Sequence, residues 1–357
     1  MGSVKAPVRI LIVGTGNMAN THAKAYAAHP EAQIVGAVDL DETRVQNFCQ
    51  THSIDRSFTS LEDAIAWGGF DAVSNVTPDA AHYPTTKTLI AAGKDVLCEK
   101  PLATSHAHAQ DLAELAQTAG IKNMVNLSYR NVPVVQEAAR LVAAGEIGAC
   151  RHFEASYLQS WLTQPAWGDW RTGSEWLWRL SEAHGSKGVL GDVGIHILDF
   201  VSHVAGSTAA HVSCQLRTFD KAPDNRIGDY TLDANDSCVM TVGLQNGALG
   251  VVSASRFASG HLNDLRLRLY GDQGGIEAAF ENGTGRLRTC TGDDLEPQVW
   301  RDRTVKGGYD LFDRFLTSVQ TRAPCQPDFA TGAQLQAVLD AAEASHAQGS
   351  LQINLPT

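Results

Sequence analysis

The chain opens with the apolar run Val8–Val13, and similar short apolar runs rich in β-branched residues return at 33–38, 70–76, 95–100 and 122–127. Between them, over 17–28, 45–51, 61–67, 82–92 and 104–119, the apolar positions follow helical spacing. The short runs predict strands buried on both faces, and the longer amphipathic stretches predict helices that cover them. Strand and helix alternating at these lengths predict an α/β fold with a right-handed, mostly parallel sheet. Beyond residue 129 the pattern changes. Gln136–Ala144 reads as an amphipathic helix closed by Gly145, and strand-like alternation follows at 150–158, 211–218, 236–244, 248–256, 265–271, 275–281 and 286–289. Turn signals such as Gln245-Asn246-Gly247 and Glu281-Asn282-Gly283 separate these strands, as an antiparallel sheet requires. Helices at Tyr309–Arg322 and Gly332–Ala347 close the chain.

A length of 357 residues suggests about two domains, with the change of pattern dividing them into 1–128 and 129–357 and the last helix a candidate to pack back toward the first. Composition is that of a water-soluble globular protein, 43% hydrophobic and 19% charged. The formal charge of −11, with no run of Lys and Arg, disfavours binding to nucleic acid or an anionic membrane. Seven cysteines stand singly at 49, 98, 150, 214, 238, 290 and 325, without a CxxC, and read as buried thiols in a reducing compartment. No signal-peptide pattern precedes the first strand and no apolar run reaches about 18 residues, so a cytoplasmic location is expected. His106-x-His108 lacks the third and fourth partners a metal needs, and no metal site is predicted.

Chemistry concentrates at the ends of the predicted strands. Gly14-Thr15-Gly16-Asn17-Met18-Ala19 follows the first strand as a GxGxxA form of the dinucleotide fingerprint. Gly14 permits the turn, Gly16 lets backbone approach a pyrophosphate, and the helix opened by Asn17 and Met18 offers free N–H groups to it. Asp39 ends the second strand at the position where an acid accepts hydrogen bonds from a ribose diol and repels a 2′-phosphate, which favours NAD over NADP. Asp41 is the better cap for the following helix. Val96-Leu97-Cys98 breaks off at Glu99-Lys100-Pro101, where Pro101 stops strand pairing and leaves two charged side chains at the sheet's ligand-binding edge. A surface ion pair beside a turn would look the same in isolation.

Together with Thr77-Pro78, His82 and Gly93-Lys94-Asp95, these motifs resemble the Gfo/Idh/MocA oxidoreductases, the glucose-fructose oxidoreductase and inositol dehydrogenase family. The resemblance runs through nearly the whole chain. It implies an N-terminal Rossmann domain and a C-terminal α+β domain on a large, mostly antiparallel sheet, one face of which often serves oligomer contacts. It further implies oxidation or reduction of a sugar or polyol carbon with NAD(P), matches Lys100 to the active-site lysine, and places Thr77, Pro78, His82 and Glu99 at the cofactor.

In the second half, Asp192 and His196 lie four residues apart after a glycine-rich loop, on one face of a predicted helix. A carboxylate beside a helical histidine can tune it as a general acid or base near neutral pH. A satisfied buried pair would share the spacing, and it is the resemblance that makes Asp192 and His196 the catalytic pair. Relatives often carry consecutive glycines where this chain has Ser186-Lys187-Gly188, which makes Lys187 a candidate to reach the pocket. Five of the seven tryptophans fall within 161–178. Aromatic faces stack on the C–H faces of sugars, so Trp167, Trp170 and Arg171 are expected in the pocket wall, with Tyr129 and Arg130 contributing from the first strand-end loop after the cofactor domain.

The expected reaction is transfer of hydride between a secondary hydroxyl carbon of a sugar, polyol or cyclitol and NAD. His196 accepts the hydroxyl proton, Lys100 steadies the same oxygen, Asp192 binds a neighbouring hydroxyl, and Glu99 holds Lys100 or the nicotinamide ribose. Tyr129 is an alternative proton carrier. An NAD-dependent glycosidase or lyase using transient ring oxidation, or a sugar-sensing regulator without catalysis, are the rival readings. A homodimer or homotetramer is expected.

Overall fold

The structure is a computed structural model that describes residues 6–165, 167–305, 307–308 and 310–356. Tyr309, the expected start of a closing helix, lies outside the described residues. In chain order the first elements are β1 (Val8–Val13), α1 (Asn17–Ala27), β2 (Ala32–Val38), α2 (Glu42–His52), β3 (Ser57–Phe58) and α3 (Leu61–Trp67). They continue as β4 (Ala72–Asn75), α4 (Asp79–Ala91), β5 (Asp95–Cys98), α5 (His106–Ala119), β6 (Asn123–Val125), α6 (Pro133–Ala143) and β7 (Cys150–Leu158). Next come α7 (Ser174–Leu177), α8 (Ile195–Ala205), β8 (Ala209–Arg217), β9 (Arg226–Ile227), β10 (Tyr230–Thr231), β11 (Ser237–Leu244) and β12 (Leu249–Ser255). The last are β13 (Asp264–Gly271), β14 (Gly274–Glu281), β15 (Thr284–Thr291), β16 (Arg301–Asp302), α9 (Leu311–Thr321), α10 (Phe329–Ala347) and β17 (Ile353–Asn354).

These elements divide into two compact units, Met1–Leu127 with Asp310–Gln336, and Ser128–Tyr309 with Ala337–Thr357. Residues 310–336, expected in the second domain, thus belong to the first unit. Its six strands are all parallel in the order β3-β2-β1-β4-β5-β6. Ile10, Leu11, Ile12, Val73, Val96 and Leu97 are wholly enclosed, each burial stabilising by about 1.5–3 kcal/mol. The strand order reverses between β1 and β4, so the loops after these two strands leave in opposite directions and open a crevice at the carboxyl edge. Asp41 caps α2 as expected, its Oδ1 accepting from the Arg44 N–H at 2.9 Å.

The second unit carries a nine-stranded sheet, β16-β15-β14-β13-β7-β12-β11-β8-β17. β7 and β12 run parallel and the remaining pairs are antiparallel. Alternate residues of β11 and β12 are buried, and α6 and α8 pack on the sheet. The opposite residues of these strands, Val239, Leu249 and Val251, are exposed at 58%, 53% and 42%. The expected single helix around Asp192 is instead a wide π turn, Leu190–Gly194, running into α8. All seven cysteines are free, buried thiols.

Gly14 shows why the first loop needs glycine. Its φ is +88°, and a Cβ there would lie 2.7 Å from the Val76 carbonyl oxygen, which is backbone and cannot yield. Gly14→Ala should therefore lower unfolding stability by about 2–4 kcal/mol, strain and clash together. Gly16→Ala, where a Cβ meets nothing within 4 Å, should stay within about 1 kcal/mol. Thermal denaturation of the two variants makes the comparison, and equal losses would contradict the reading of the loop.

Candidate active site

In the first unit the expected residues gather at the carboxyl edge of the parallel sheet. The Gly14 N–H donates to the Val38 carbonyl at 2.8 Å, tying the glycine loop to the end of β2. Asp39 Oδ2 accepts from the Thr15 N–H and Oγ1–H, both at 2.8 Å, and Oδ1 accepts from the Asp41 N–H at 3.0 Å. Burial alone would raise the Asp39 pKa, but these donors and the Arg44 guanidinium outweigh it and hold the carboxyl below its usual range. No side chain caps the N-terminus of α1, and its first turn carries no acid. Open space over Gly16, free N–H groups at Asn17 and Met18, and an ionised Asp39 fit a dinucleotide: pyrophosphate on the helix end, ribose hydroxyls on Asp39.

Thr77 and Pro78 follow β4. Thr77 Oγ1–H donates to Asn75 Oδ1 at 2.8 Å, and Asn75 Nδ2–H donates to Thr86 Oγ1 at 2.9 Å, so the turn is braced from α4. His82 corrects an expectation. It is wholly buried, and its ring nitrogens face the carbonyls of Pro101 at 2.6 Å and Thr77 at 2.8 Å. It fastens the Thr77 loop to the Pro101 loop and has no surface left for a cofactor.

Glu99, expected at Lys100 or at a nicotinamide ribose, meets the Lys100 backbone. Its carboxylate turns inward: Oε1 meets His22 Nε2 at 2.8 Å and accepts from Asn126 Nδ2–H at 2.6 Å, while Oε2 accepts from the Lys100 N–H at 3.1 Å. His22 Nδ1 completes the group on Ser74 Oγ at 2.7 Å. Burial alone would raise the Glu99 pKa. The hydrogen bond and charge of His22, with Asn126 and the nearby Lys100 cation, outweigh it and bring the carboxyl down to about 2. Glu99 therefore holds the backbone that carries Lys100 and does not face a ribose. Lys100 itself is half-buried, and its peptide bond to Pro101 is cis.

In the second unit Asp192, His196 and Tyr129 come together. His196 is buried in the first turn of α8, and the Tyr129 ring meets it edge to face with centroids 4.9 Å apart. Asp192 Oδ2 accepts from Arg256 Nη2–H at 3.0 Å, and Arg179 Nη1 lies 3.9 Å from Oδ1. Arg256 is wholly enclosed, donates to the Arg179 carbonyl at 3.0 Å, and sits over the Trp161 ring at 5.1 Å. Asp192 thus accepts a charge-assisted hydrogen bond from one guanidinium and has a second close by.

The other residues expected at the substrate have partners of their own. Arg130 is buried in a bidentate pair with Asp199 of α8, at 2.6 to 3.2 Å, and so anchors the helix bearing His196. Trp170 is 3% exposed, inside a cluster of Trp161, Leu162, Leu177, Leu180 and Leu232 against which Trp167 packs. Trp167 stacks on Trp176 at 5.9 Å, and the Arg171 guanidinium lies over the Trp170 ring at 4.5 Å. This segment is a small core that supports Arg256 and Arg179, and through them Asp192. Lys187 pairs with Glu343 at 3.5 Å. The sequence reading missed Arg256, Tyr157, Gln159, Asn263, His22 and Asn126. Each sits far along the chain from the group it serves, so no local spacing exposes it.

Comparison with known proteins bears on the whole chain. Residues 8–127 match the oxidoreductase family with an NAD-binding Rossmann fold, and residues 135–277 match the GFO/IDH/MocA C-terminal domain. The chain belongs to the GFO/IDH/MocA oxidoreductase family. It is an NAD-binding oxidoreductase. Among relatives, it is 26% identical over 292 residues to levoglucosan dehydrogenase of Pseudarthrobacter phenanthrenivorans, covering 76% of this chain and 73% of that one. The structure resembles an oxidoreductase domain protein from Kribbella flavida with a TM-score of 0.87 and 28% identity, over 99% and 100% of the two chains. Its fold also resembles that of levoglucosan dehydrogenase in complex with NADH, with a TM-score of 0.86 and 23% identity, over 98% and 100%. Among the described residues no helix is long and apolar enough to cross a membrane, and no group of His, Cys, Asp or Glu could hold a metal ion.

The inward-turned Glu99 of this oxidoreductase has a measurable consequence. Its folded pKa lies below the ordinary 4.5, so its contribution to stability is complete above that value and is lost as pH falls toward about 2. Glu99→Gln should be less stable than wild type at pH 7 and should lose part of the decline between pH 4.5 and 2. Thermal midpoints across that range test this; parallel pH curves for the two proteins would contradict it.

Proposed function

We propose that this enzyme moves hydride between a secondary hydroxyl carbon of a sugar, polyol or cyclitol and NAD. The observation that carries the reading is a buried histidine, edge to face with Tyr129, in the same unit as a carboxylate that accepts from Arg256. Such a pair suits a polyhydroxylated substrate: a carboxylate accepts from one hydroxyl while an imidazole takes the proton of its neighbour. The named activities of relatives support the class, among them levoglucosan dehydrogenase, glucose-6-phosphate 3-dehydrogenase and 1,5-anhydro-D-fructose reductase.

Bound NAD supplies the acceptor for the hydride leaving the substrate carbon. Gly14, Gly16, Asn17, Met18 and Asp39 would hold it by the fit described above, with Thr77 and Pro78 after β4 as further contacts. His196 removes the hydroxyl proton. The Lys100 ammonium hydrogen-bonds the reacting oxygen and stabilises its developing negative charge, positioned by the Glu99 carboxylate that grips its N–H. Asp192 fixes an adjacent hydroxyl and so orients the carbon.

The chain acts in the cytoplasm as a homodimer or homotetramer on this reading. Seven free thiols support a reducing compartment, and the exposed Val239, Leu249 and Val251 on neighbouring strands support an interface.

Lys100→Met should leave NAD binding, measured by fluorescence titration, close to wild type. Turnover on the best substrate of a sugar and polyol panel should fall at least about a hundredfold. Near-full activity of the variant would overturn the assignment of Lys100.

A further inference from the structure

Behind His196 runs a chain of hydrogen bonds whose direction is fixed by its far end. The Trp161 Nε1–H donates to Gln159 Oε1 at 3.1 Å. Gln159 Nε2 lies 2.8 Å from Asn263 Oδ1, and the Tyr157 hydroxyl lies 2.7 Å from the same Oδ1. The Tyr157 and Tyr129 hydroxyls are in close contact. An indole N–H can only donate, so the Gln159 amide must turn its oxygen to Trp161 and its NH2 to Asn263. Asn263 must then present oxygen, because an NH2 would oppose the NH2 of Gln159. A carboxamide oxygen only accepts, so Tyr157 must give it its single proton. Tyr157 has none left for Tyr129, and the Tyr129 proton is committed to the Tyr157 oxygen. What Tyr129 keeps is a lone pair.

We propose that Tyr129 is a specificity residue that acts only as a hydrogen-bond acceptor, selecting a donor hydroxyl on the substrate and taking no part in proton transfer. The proposal rests on the function proposed above and decides a question left open by the sequence, which offered Tyr129 as an alternative proton carrier. Enclosure points the same way. Tyr157 is 2% exposed, Trp161 3% and Gln159 6%, which keeps water from these three members of the chain. Burial, together with the negative charge of Asp192, also raises the Tyr129 phenol above its ordinary value, away from ionisation at neutral pH. Loss of the Tyr129 proton would set two oxygens against each other with no hydrogen between them. The proton of the reacting hydroxyl therefore falls to His196, and Tyr129 receives a hydrogen bond from another hydroxyl of the same substrate. A ligand offering a carbonyl, an ether oxygen or hydrogen at that position forfeits the bond and faces a desolvated acceptor.

Two measurements test this. Neutron diffraction from deuterium-exchanged crystals of the protein places the deuterons without need of any substrate. The deuteron of Tyr129 should lie on the line to Tyr157, and that of Tyr157 on the line to Asn263; a Tyr157 deuteron directed at Tyr129 would overturn the polarity. The second measurement is steady-state kinetics of Tyr129→Phe on the best sugar and on its monodeoxy analogues. KM should rise about tenfold with kcat within about threefold, and the pH profile of kcat/KM should keep its wild-type shape. For one monodeoxy analogue, wild type and variant should be indistinguishable. A fall in kcat of about a hundredfold or more, with a lost limb in the pH profile, would make Tyr129 the proton carrier instead. Gln159→Glu supplies a reversal: two acceptor oxygens oblige Asn263 to turn its NH2 inward, Tyr157 then donates to Tyr129, and Tyr129 becomes a donor. Discrimination against that analogue should shrink at least about threefold in Gln159→Glu, and unchanged discrimination would count against the proposal. Should no sugar or polyol be turned over by wild type, the functional reading fails, while the neutron result still decides the direction of the chain.

Discussion

A carboxylate withdrawn from water keeps its charge only where protein donors replace the lost solvent, and three such replacements order this molecule. Asp39 is held by the glycine loop's own Thr15, Glu99 by His22, Asn126 and the Lys100 N–H, and Asp192 by Arg256 with Arg179 close by. In each case the carboxylate fixes a part of the fold that carries or adjoins a candidate site residue. Asp39 ties down the glycine loop, Glu99 the backbone under Lys100, and Asp192 the side chain of Arg256. A wholly enclosed Arg256 would be costly on its own. It is tolerated because Asp192 and the Arg179 carbonyl each take up one of its Nη donors and the Trp161 face lies against it.

The tryptophan-rich segment acquires its meaning from this pairing. Trp161 and Trp170 are buried, and Trp161 supports Arg256 from one side and directs the chain of hydrogen bonds toward Tyr129 from its nitrogen. One side chain thereby sets both the charge partner of Asp192 and the hydrogen-bonding sense of a residue beside His196. Arg130 adds the third brace, clamping Asp199 one turn beyond His196 on α8.

Much of the fold was legible because its signals are local. Paired apolar runs and helical spacing marked β1, α1, α3 and β7 with their observed limits or within a residue, and Gly93 and Gly120 adopt the left-handed φ that ends a helix. Two-residue strands such as β3, β9, β16 and β17 were not legible, since two residues have no periodicity. Motif residues drew attention to the correct places, but not always to the correct roles. His82 and Glu99 stand in the motifs as cofactor ligands by resemblance, whereas burial and partners make them braces. Arg130 and Trp170 read as pocket wall because arginines and tryptophans favour ligands, yet a single distant residue, Asp199, and a cluster of leucines claim them. Partners such as Arg256 and Asn263 lie 64 and 106 residues from Asp192 and Tyr157, and only the folded chain brings them near.

The central claim is that these braced groups serve a net transfer of hydride from a substrate carbon to NAD. It is tested most directly with a turned-over sugar or polyol carrying deuterium at the reacting carbon, following NADH absorbance and the nicotinamide by NMR. The account predicts one NADH formed per substrate oxidised, with the deuterium at the nicotinamide C4. Consumption of substrate with no net NADH would contradict it and indicate a cofactor regenerated within each turnover.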